Sequence, residues 1–205
     1  DYNKDQSYFL YRLNQNQIAK TIFPLGKIKK SEVRNMAKKM GLANHNKKDS
    51  VGICFIGERN LKKFLKEYIP LKHGNIMNTN GEKLGEHEGV MYYTIGQRKG
   101  LGIGGIKNNN GQAWYVVEKD LQNNLLIVCQ GKNNKALYHQ KLKASDLHWV
   151  SGTPPNKINL NAKIRYRDKE RRVKIINLSK NSISVKFSEP CFAIAPGQSI
   201  VFYEK

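Results

Sequence analysis

The chain has 205 residues, 39% of them hydrophobic, a composition that excludes a disordered polypeptide. Lys and Arg number 36 against 16 Asp and Glu, a formal net charge of +20. No apolar run approaches the roughly 20 residues of a membrane-spanning helix, and the chain does not open on a basic segment followed by an apolar one.

The charge points to a polyanionic partner, because cations that neutralise phosphates release their counterions. It is spread along the chain: 13 basic against 5 acidic residues over 1–62, 10 against 6 over 63–138, and 13 against 5 over 139–205. Spread charge fits a folded surface that follows an extended ligand; a Lys- and Asn-rich genome would also raise the Lys count everywhere. Three cysteines, Cys54, Cys129 and Cys191, make no paired framework, so a reducing cytoplasm is expected. With no CxxC and no His-x-x-x-His, no zinc site is expected.

The first third reads as helical. Gln15, Ile18, Ala19 and Ile22 share a turn-spaced face that Pro24 and Gly26 stop. A second helix is expected from an N-cap at Ser31, with Val33, Met36, Ala37 and Met40 on one face and Gly41 at C′. A polar loop, 44–50, leads to the apolar run 52–57, and a third helix places Leu61, Phe64, Leu65 and Tyr68 on one side before Pro70. Beyond Pro70 the period changes to two. Asn80-Gly81 signals a hairpin. Strands are expected at 114–117 and 125–128, and then at 162–167, 172–176, 183–187 and 199–203, a spacing that suggests a small barrel or sandwich.

Three segments can carry chemistry. Cys54 lies between Gly52 and Gly57, with Lys47, Lys48 and Arg59 near in sequence. Nearby cations lower a thiol pKa and raise its nucleophilic thiolate fraction. A lone cysteine can equally pack as a small hydrophobe, which is how Cys129 and Cys191 read. The stretch Gly96–Gly105 contains Arg98 and Lys99 but lacks the Gly-Lys-Ser/Thr of a P-loop. It is either a glycine-rich turn or a backbone-amide surface for an RNA phosphate. Arg165-Tyr166-Arg167, followed by Lys169, Arg171 and Arg172, interleaves cations with an aromatic ring. That pattern suits phosphates and an unpaired base, or a solvated barrel face. The five histidines have no recognisable partner and are assigned no catalytic role.

Several segments, in order, resemble the tRNA-uridine 2-sulfurtransferases (the tRNA-specific 2-thiouridylases, or MnmA family). They are residues 5–11, Asp-Gln-Ser-Tyr-Phe-Leu-Tyr; 23–26, Phe-Pro-Leu-Gly; 49–59 around Cys54; 93–102; 114–117; 147–150, Leu-His-Trp-Val; and 196–199, Pro-Gly-Gln-Ser. The resemblance covers essentially the whole chain. It implies ATP-dependent 2-thiolation of the wobble uridine of tRNA, with Cys54 as the catalytic residue that carries sulfur as a persulfide. That sulfur is delivered by a cysteine desulfurase or a sulfur-carrier protein. It implies tRNA contacts at Lys4, Asp5 and Gln6, at Arg165 and Tyr166, and at Gln198. ATP is the implied co-substrate, but the family's Ser-Gly-Gly-Val-Asp-Ser nucleotide loop and its second catalytic cysteine are missing from these 205 residues. The expectation is a fragment without the adenylating domain, unable to adenylate uridine alone.

The fold expected is α+β in three pieces. Residues 1–62 are the helical remnant of an ATP-pyrophosphatase domain with the cysteine loop. Residues 63–138 are a small, mostly β central domain, and 139–205 a C-terminal antiparallel β-barrel. The competing reading is a non-catalytic tRNA-binding module whose Cys54 is merely packed. Neither reading involves a membrane.

Overall fold

A computed structural model describes residues 1, 5–49, 61–104 and 111–204, with 61–63 described only by their helix. Lys4 and Cys54 therefore lie outside the described residues. Helices and strands are mixed, and strands predominate. The helices are α1 (Gln15–Ala19), α2 (Lys30–Lys39) and α3 (Leu61–Lys66). The strands are β1 (Gly74–Asn78), β2 (Lys83–His87), β3 (Trp114–Asp120), β4 (Leu125–Gln130), β5 (Tyr138–Ser145), β6 (Asn159–Lys163), β7 (Arg171–Leu178), β8 (Ser182–Phe192) and β9 (Val201–Tyr203). They form a four-stranded sheet in the order β2-β1-β4-β3 and a five-stranded sheet in the order β5-β8-β7-β6-β9. The second sheet has two ends, at β5 and β9, and is not closed among the described residues.

No helix among the described residues is long and apolar enough to cross a membrane. The described residues also include no cluster of His, Cys, Asp and Glu suited to a metal ion.

Two units emerge from the packing, and the chain passes between them more than once. One comprises Asp1–Gly57, Lys143–Ser184 and Ser199–Lys205; the other comprises Glu58–Leu142 and Val185–Gln198.

In the second unit the Asn80-Gly81 signal is realised as a hairpin. Gly81 has φ +85° and its N–H donates to the Asn78 carbonyl at 3.1 Å, turning β1 into β2. β1 also pairs in parallel with β4, which places β4 inside the sheet. That explains why Leu125–Gln130 is nearly all apolar: both faces are covered. Leu126 and Val128 join Ile76, Tyr93, Leu101, Ile103 and Val116 on one side. Cys129 joins Tyr115 and Leu137 in a separate cluster. Cys129 is thus a core residue, as its strand setting predicts, and burial pushes its thiol up to about 11. Cys191 is buried as well.

His87, the buried polar residue of this unit, accepts from the Gly89 N–H through Nδ1 at 3.0 Å. Its Nε2 lies 3.0 Å from the Asn124 carbonyl. This pairing requires the neutral Nε2–H tautomer, and burial lowers the imidazole pKa.

In the first unit, three expectations shift. Ser31 is not the N-cap of α2. That helix begins at Lys30, because the Asp1 carboxylate accepts from the Lys30 N–H at 2.8 Å and Glu32 accepts from the Lys29 N–H at 3.3 Å. The donors left over at a helix start are met without Ser31. Ile22 is not on the face of α1. The helix ends at Ala19, the Thr21 hydroxyl donates back to the Gln17 carbonyl at 2.7 Å, and Ile22 is exposed. Residues 164–167 do not continue a strand, since β6 ends at Lys163 and the chain turns.

Candidate nucleic-acid interface

The turn after β6 presents the cation–aromatic motif. The Asp168 N–H donates to the Arg165 carbonyl at 3.1 Å, and Arg167 takes the left-handed conformation, φ +69°. A non-glycine residue there costs about 1 kcal/mol or more, so the turn must be held from outside itself. Asp168 does so by pairing with the Arg171 guanidinium at 3.3 Å, on the first residue of β7. Both side chains of that pair are about four-fifths buried. The turn sets the Arg167 guanidinium 5.3 Å from the Tyr166 ring centre, within cation–π range.

A second segment, distant in sequence, meets this turn. Residues Ser7–Leu10 form a short 3-10 helix directly after Asp5 and Gln6. Phe9 lies 4.7 Å from Tyr166 between ring centres, at 45°, and is 55% exposed. The Asp5 carboxylate accepts from the Ser7 N–H at 2.9 Å and from the Ser7 hydroxyl at 3.0 Å. It also faces the Lys163 ammonium at 3.7 Å. The Ser7 N–H in particular holds the Asp5 carboxyl below the ordinary carboxylate range. Lys163 sits 5.3 Å from the Tyr203 ring centre as well, so one cation ties the Asp5 segment to β9.

Beneath, the buried Tyr8 donates its hydroxyl to the Ser199 carbonyl at 2.9 Å. The Ser199 hydroxyl donates to Tyr11 at 2.6 Å. Burial raises the Tyr8 pKa, which keeps the phenol a donor.

The structure therefore brings Asp5, Gln6, Arg165 and Tyr166 into one unit, on adjoining segments. Gln6 and Arg167 are exposed; Arg165 and Tyr166 are partly so. Gln198, also exposed, belongs to the other unit, where its N–H closes a turn on the Ala195 carbonyl at 3.3 Å.

Phe9, Lys163 and Asp168 were not among the candidates from sequence. Phe9 and Lys163 act through contacts more than 150 positions apart in the chain, which no local pattern reveals. Asp168 carried a readable signal, an acid three residues before Arg171.

Residues 96–104 of the glycine-rich stretch run through successive turns. The Gly96 N–H donates to the Val116 carbonyl at 2.8 Å, and the Val116 N–H donates to the Gln97 carbonyl at 3.0 Å. Leu101 and Ile103 then enter the core. No helix follows within the described residues, so this segment does not fit a nucleotide's phosphates in the manner of a P-loop.

Three family models match in succession. Residues 1–58 match one described as tRNA methyl transferase HUP domain, 62–130 one described as tRNA methyl transferase PRC-barrel domain, and 139–205 one described as Aminomethyltransferase beta-barrel domain. Curated relatives named tRNA-specific 2-thiouridylase MnmA match essentially the whole of this chain. The relative from Idiomarina loihiensis is 53% identical over 204 residues, 99% of this chain and 55% of the relative. That from Nitrosomonas eutropha is 53% identical over 205 residues, covering 100% and 57%. The chain belongs to the tRNA-specific 2-thiouridylase family. A third member, from Francisella tularensis subsp. tularensis, is 51% identical over 204 residues. The chain spans a little over half the length of these curated relatives. The descriptions of all three models speak of methyl or aminomethyl transfer, whereas the curated relatives are named for thiolation.

Proposed function

We propose that this chain is the tRNA-holding and sulfur-carrying part of a tRNA-uridine 2-sulfurtransferase, a transferase that 2-thiolates the wobble uridine. The observation that carries the reading is the convergence of residues 5–11 with the 163–171 turn, in a chain with 53% identity to named thiouridylases. Arg165 and Arg167 supply cations for phosphates, and Tyr166 with Phe9 supplies aromatic faces for an unpaired base. Lys4, Asp5, Gln6 and Gln198 complete the proposed tRNA contacts. Asp5 carries negative charge, so it positions Lys163 and the 3-10 helix and leaves phosphate contact to the cations.

Cys54 is proposed as the catalytic residue. It receives sulfur as a persulfide from a cysteine desulfurase or a carrier protein; the outer sulfur attacks C2 of the adenylated uridine and displaces AMP, and a second thiol of the whole protein then attacks Cys54, cleaving its bond to that sulfur and leaving a disulfide that an external thiol reduces. A thiolate or its persulfide is the protein nucleophile suited to that displacement. ATP is the proposed co-substrate of the whole protein. The described residues form no nucleotide loop, so adenylation is assigned to the part of the relatives that this chain does not span. The proposed pieces are residues 1–62, 63–138 and 139–205, the last a β-barrel as the description of its family model suggests. A cytoplasmic location fits Cys129 and Cys191, neither of which forms a disulfide.

The test is tRNA binding by this chain across a salt series. The reading expects affinity to fall linearly in log–log form with salt. It expects Arg165→Ala to weaken binding and flatten the slope by about one ion. Binding indifferent to salt and to Arg165 would remove the reading.

A further inference from the structure

One face of the sheet in the first unit carries cations that the tRNA contacts above do not use. Residues paired across an antiparallel ladder point to the same face. Tyr203 pairs with Asn161, and Asn161 with Arg172, so these three share a face. Asn159 pairs with Lys174, two residues further along both strands and therefore on that face as well. Leu160, Ala162 and Val173 occupy the opposite face and are buried.

This face is also the one on which residues 5–10 sit. Lys163, two residues from Asn161, points the same way, and it meets the Asp5 carboxylate at 3.7 Å and the Tyr203 ring at 5.3 Å from its centre. β7 begins at Arg171, directly after the turn that carries Arg165, Tyr166 and Arg167. Arg172 is therefore the first outward cation beyond that turn, and Lys174 the next. Two residues of a strand span about 6.7 Å, the same order as the step between successive phosphates of an unstacked nucleic-acid strand.

The two cations are available. Both are exposed, and neither forms an ion pair among the described residues. Arg171, one position earlier, is committed to Asp168. Neither β6 nor β7 contains an Asp or Glu. Glu170, just before β7, accepts from the Asn161 carboxamide at 3.4 Å, which engages Asn161 and leaves the exposed Asn159 as the neutral donor beside Lys174. Two like charges side by side on a strand contribute nothing to folding; a polyanion laid across them turns the arrangement favourable. Beyond Lys174 the same face becomes apolar at Ile176, which is 53% exposed, so the row offers two phosphate positions.

We propose that the backbone of the bound tRNA runs along β7, with one phosphate held by Arg172 and the next by Lys174, Asn159 donating beside it. The inference rests on the tRNA reading given above and extends it from the turn onto the sheet.

The experiment measures tRNA affinity across a salt series for the full chain and for Arg172→Gln, Lys174→Gln, the double variant, Arg172→Lys and Arg165→Ala. Lys132→Gln, at an exposed lysine of the other unit, is the control for charge in general. Arg172→Gln and Lys174→Gln should each flatten the salt slope by about one ion and weaken binding about 5- to 10-fold at about 0.1 M salt, since one phosphate contact contributes roughly 0.9 of a tenfold factor per tenfold change of salt. The double variant should flatten it by about two, Arg172→Lys should keep the original slope, and the melting temperatures should not move. If Lys132→Gln flattens the slope as much as either β7 variant, the binding is to diffuse charge and the inference is overturned. If both β7 variants keep the slope while Arg165→Ala flattens it, the inference fails and the tRNA reading stands. If Arg165→Ala is also silent, both fail together.

Discussion

Phe9→Ala separates packing from recognition. Phe9 packs edge-on against Tyr8 at 5.4 Å and tilted against Tyr166 at 4.7 Å, yet it is 55% exposed. Full burial of such a side chain is worth about 1.5–3 kcal/mol, so half-burial contributes about 1 kcal/mol. An aromatic pair adds roughly 0.5–1.5 kcal/mol. The variant should therefore lose about 1–2 kcal/mol of stability, a few degrees in thermal unfolding. Stacking of an unpaired base is worth about 1–3 kcal/mol. The tRNA affinity should accordingly fall about 5- to 150-fold, measured by titration well below the unfolding transition. Because no cation is removed, the salt slope should stay that of the unaltered chain, unlike that of Arg165→Ala. Phe9→Tyr should restore binding. If Phe9→Ala loses its share of stability but binds tRNA as the unaltered chain does, Phe9 only packs, and the stacking argument is wrong.

His87 makes the second unit acid-sensitive. Its pKa is depressed in the folded protein by burial, so the unfolded chain takes up the proton more readily. The stabilising contribution of the neutral ring is present above about pH 6.5 and is lost as the pH falls through the lower, folded value. Thermal unfolding between neutral and mildly acidic pH should show this loss, and His87→Asn, which cannot titrate, should flatten it. Two glycines with φ near +80° should respond differently to alanine. At Gly81 nothing lies within 4 Å of a new Cβ, so only backbone strain of about 1–2 kcal/mol applies. At Gly96 the new Cβ would stand 2.5 Å from that of Ala193, and overpacking adds about 1–3 kcal/mol. Equal melting shifts for the two variants would contradict the packing described around Gly96. Cys129, buried and with its thiol pushed up to about 11, should resist thiol-specific labelling at neutral pH until the chain is unfolded.

Local chemistry was legible in the sequence and non-local chemistry was not. The Asn80-Gly81 hairpin and the apolar run Leu125–Val128 declare themselves because turn residues and strand periodicity act over a few positions. The start of α2 was misplaced because Asp1, 29 residues upstream of Lys30, supplies an acceptor that a local capping rule cannot see. The strand expected through Arg167 ended early because a left-handed Arg167 and the Asp168–Arg171 pair form a turn where alternation alone suggests continuation. At the candidate site the cations and Tyr166 were readable from composition. Their assembly with Asp5 and Phe9 depends on pairing across more than 150 residues.

The most direct test of the account is where sulfur settles on the protein. The chain is incubated with a cysteine desulfurase and free cysteine, and its peptides are weighed with and without reductant. The account predicts one reductant-labile extra sulfur on the Cys54 peptide, absent from Cys54→Ser, with the buried Cys129 and Cys191 unmodified. Sulfur spread over all three cysteines, or on none, would contradict the sulfur-carrying role and leave a tRNA-binding module whose Cys54 is merely packed.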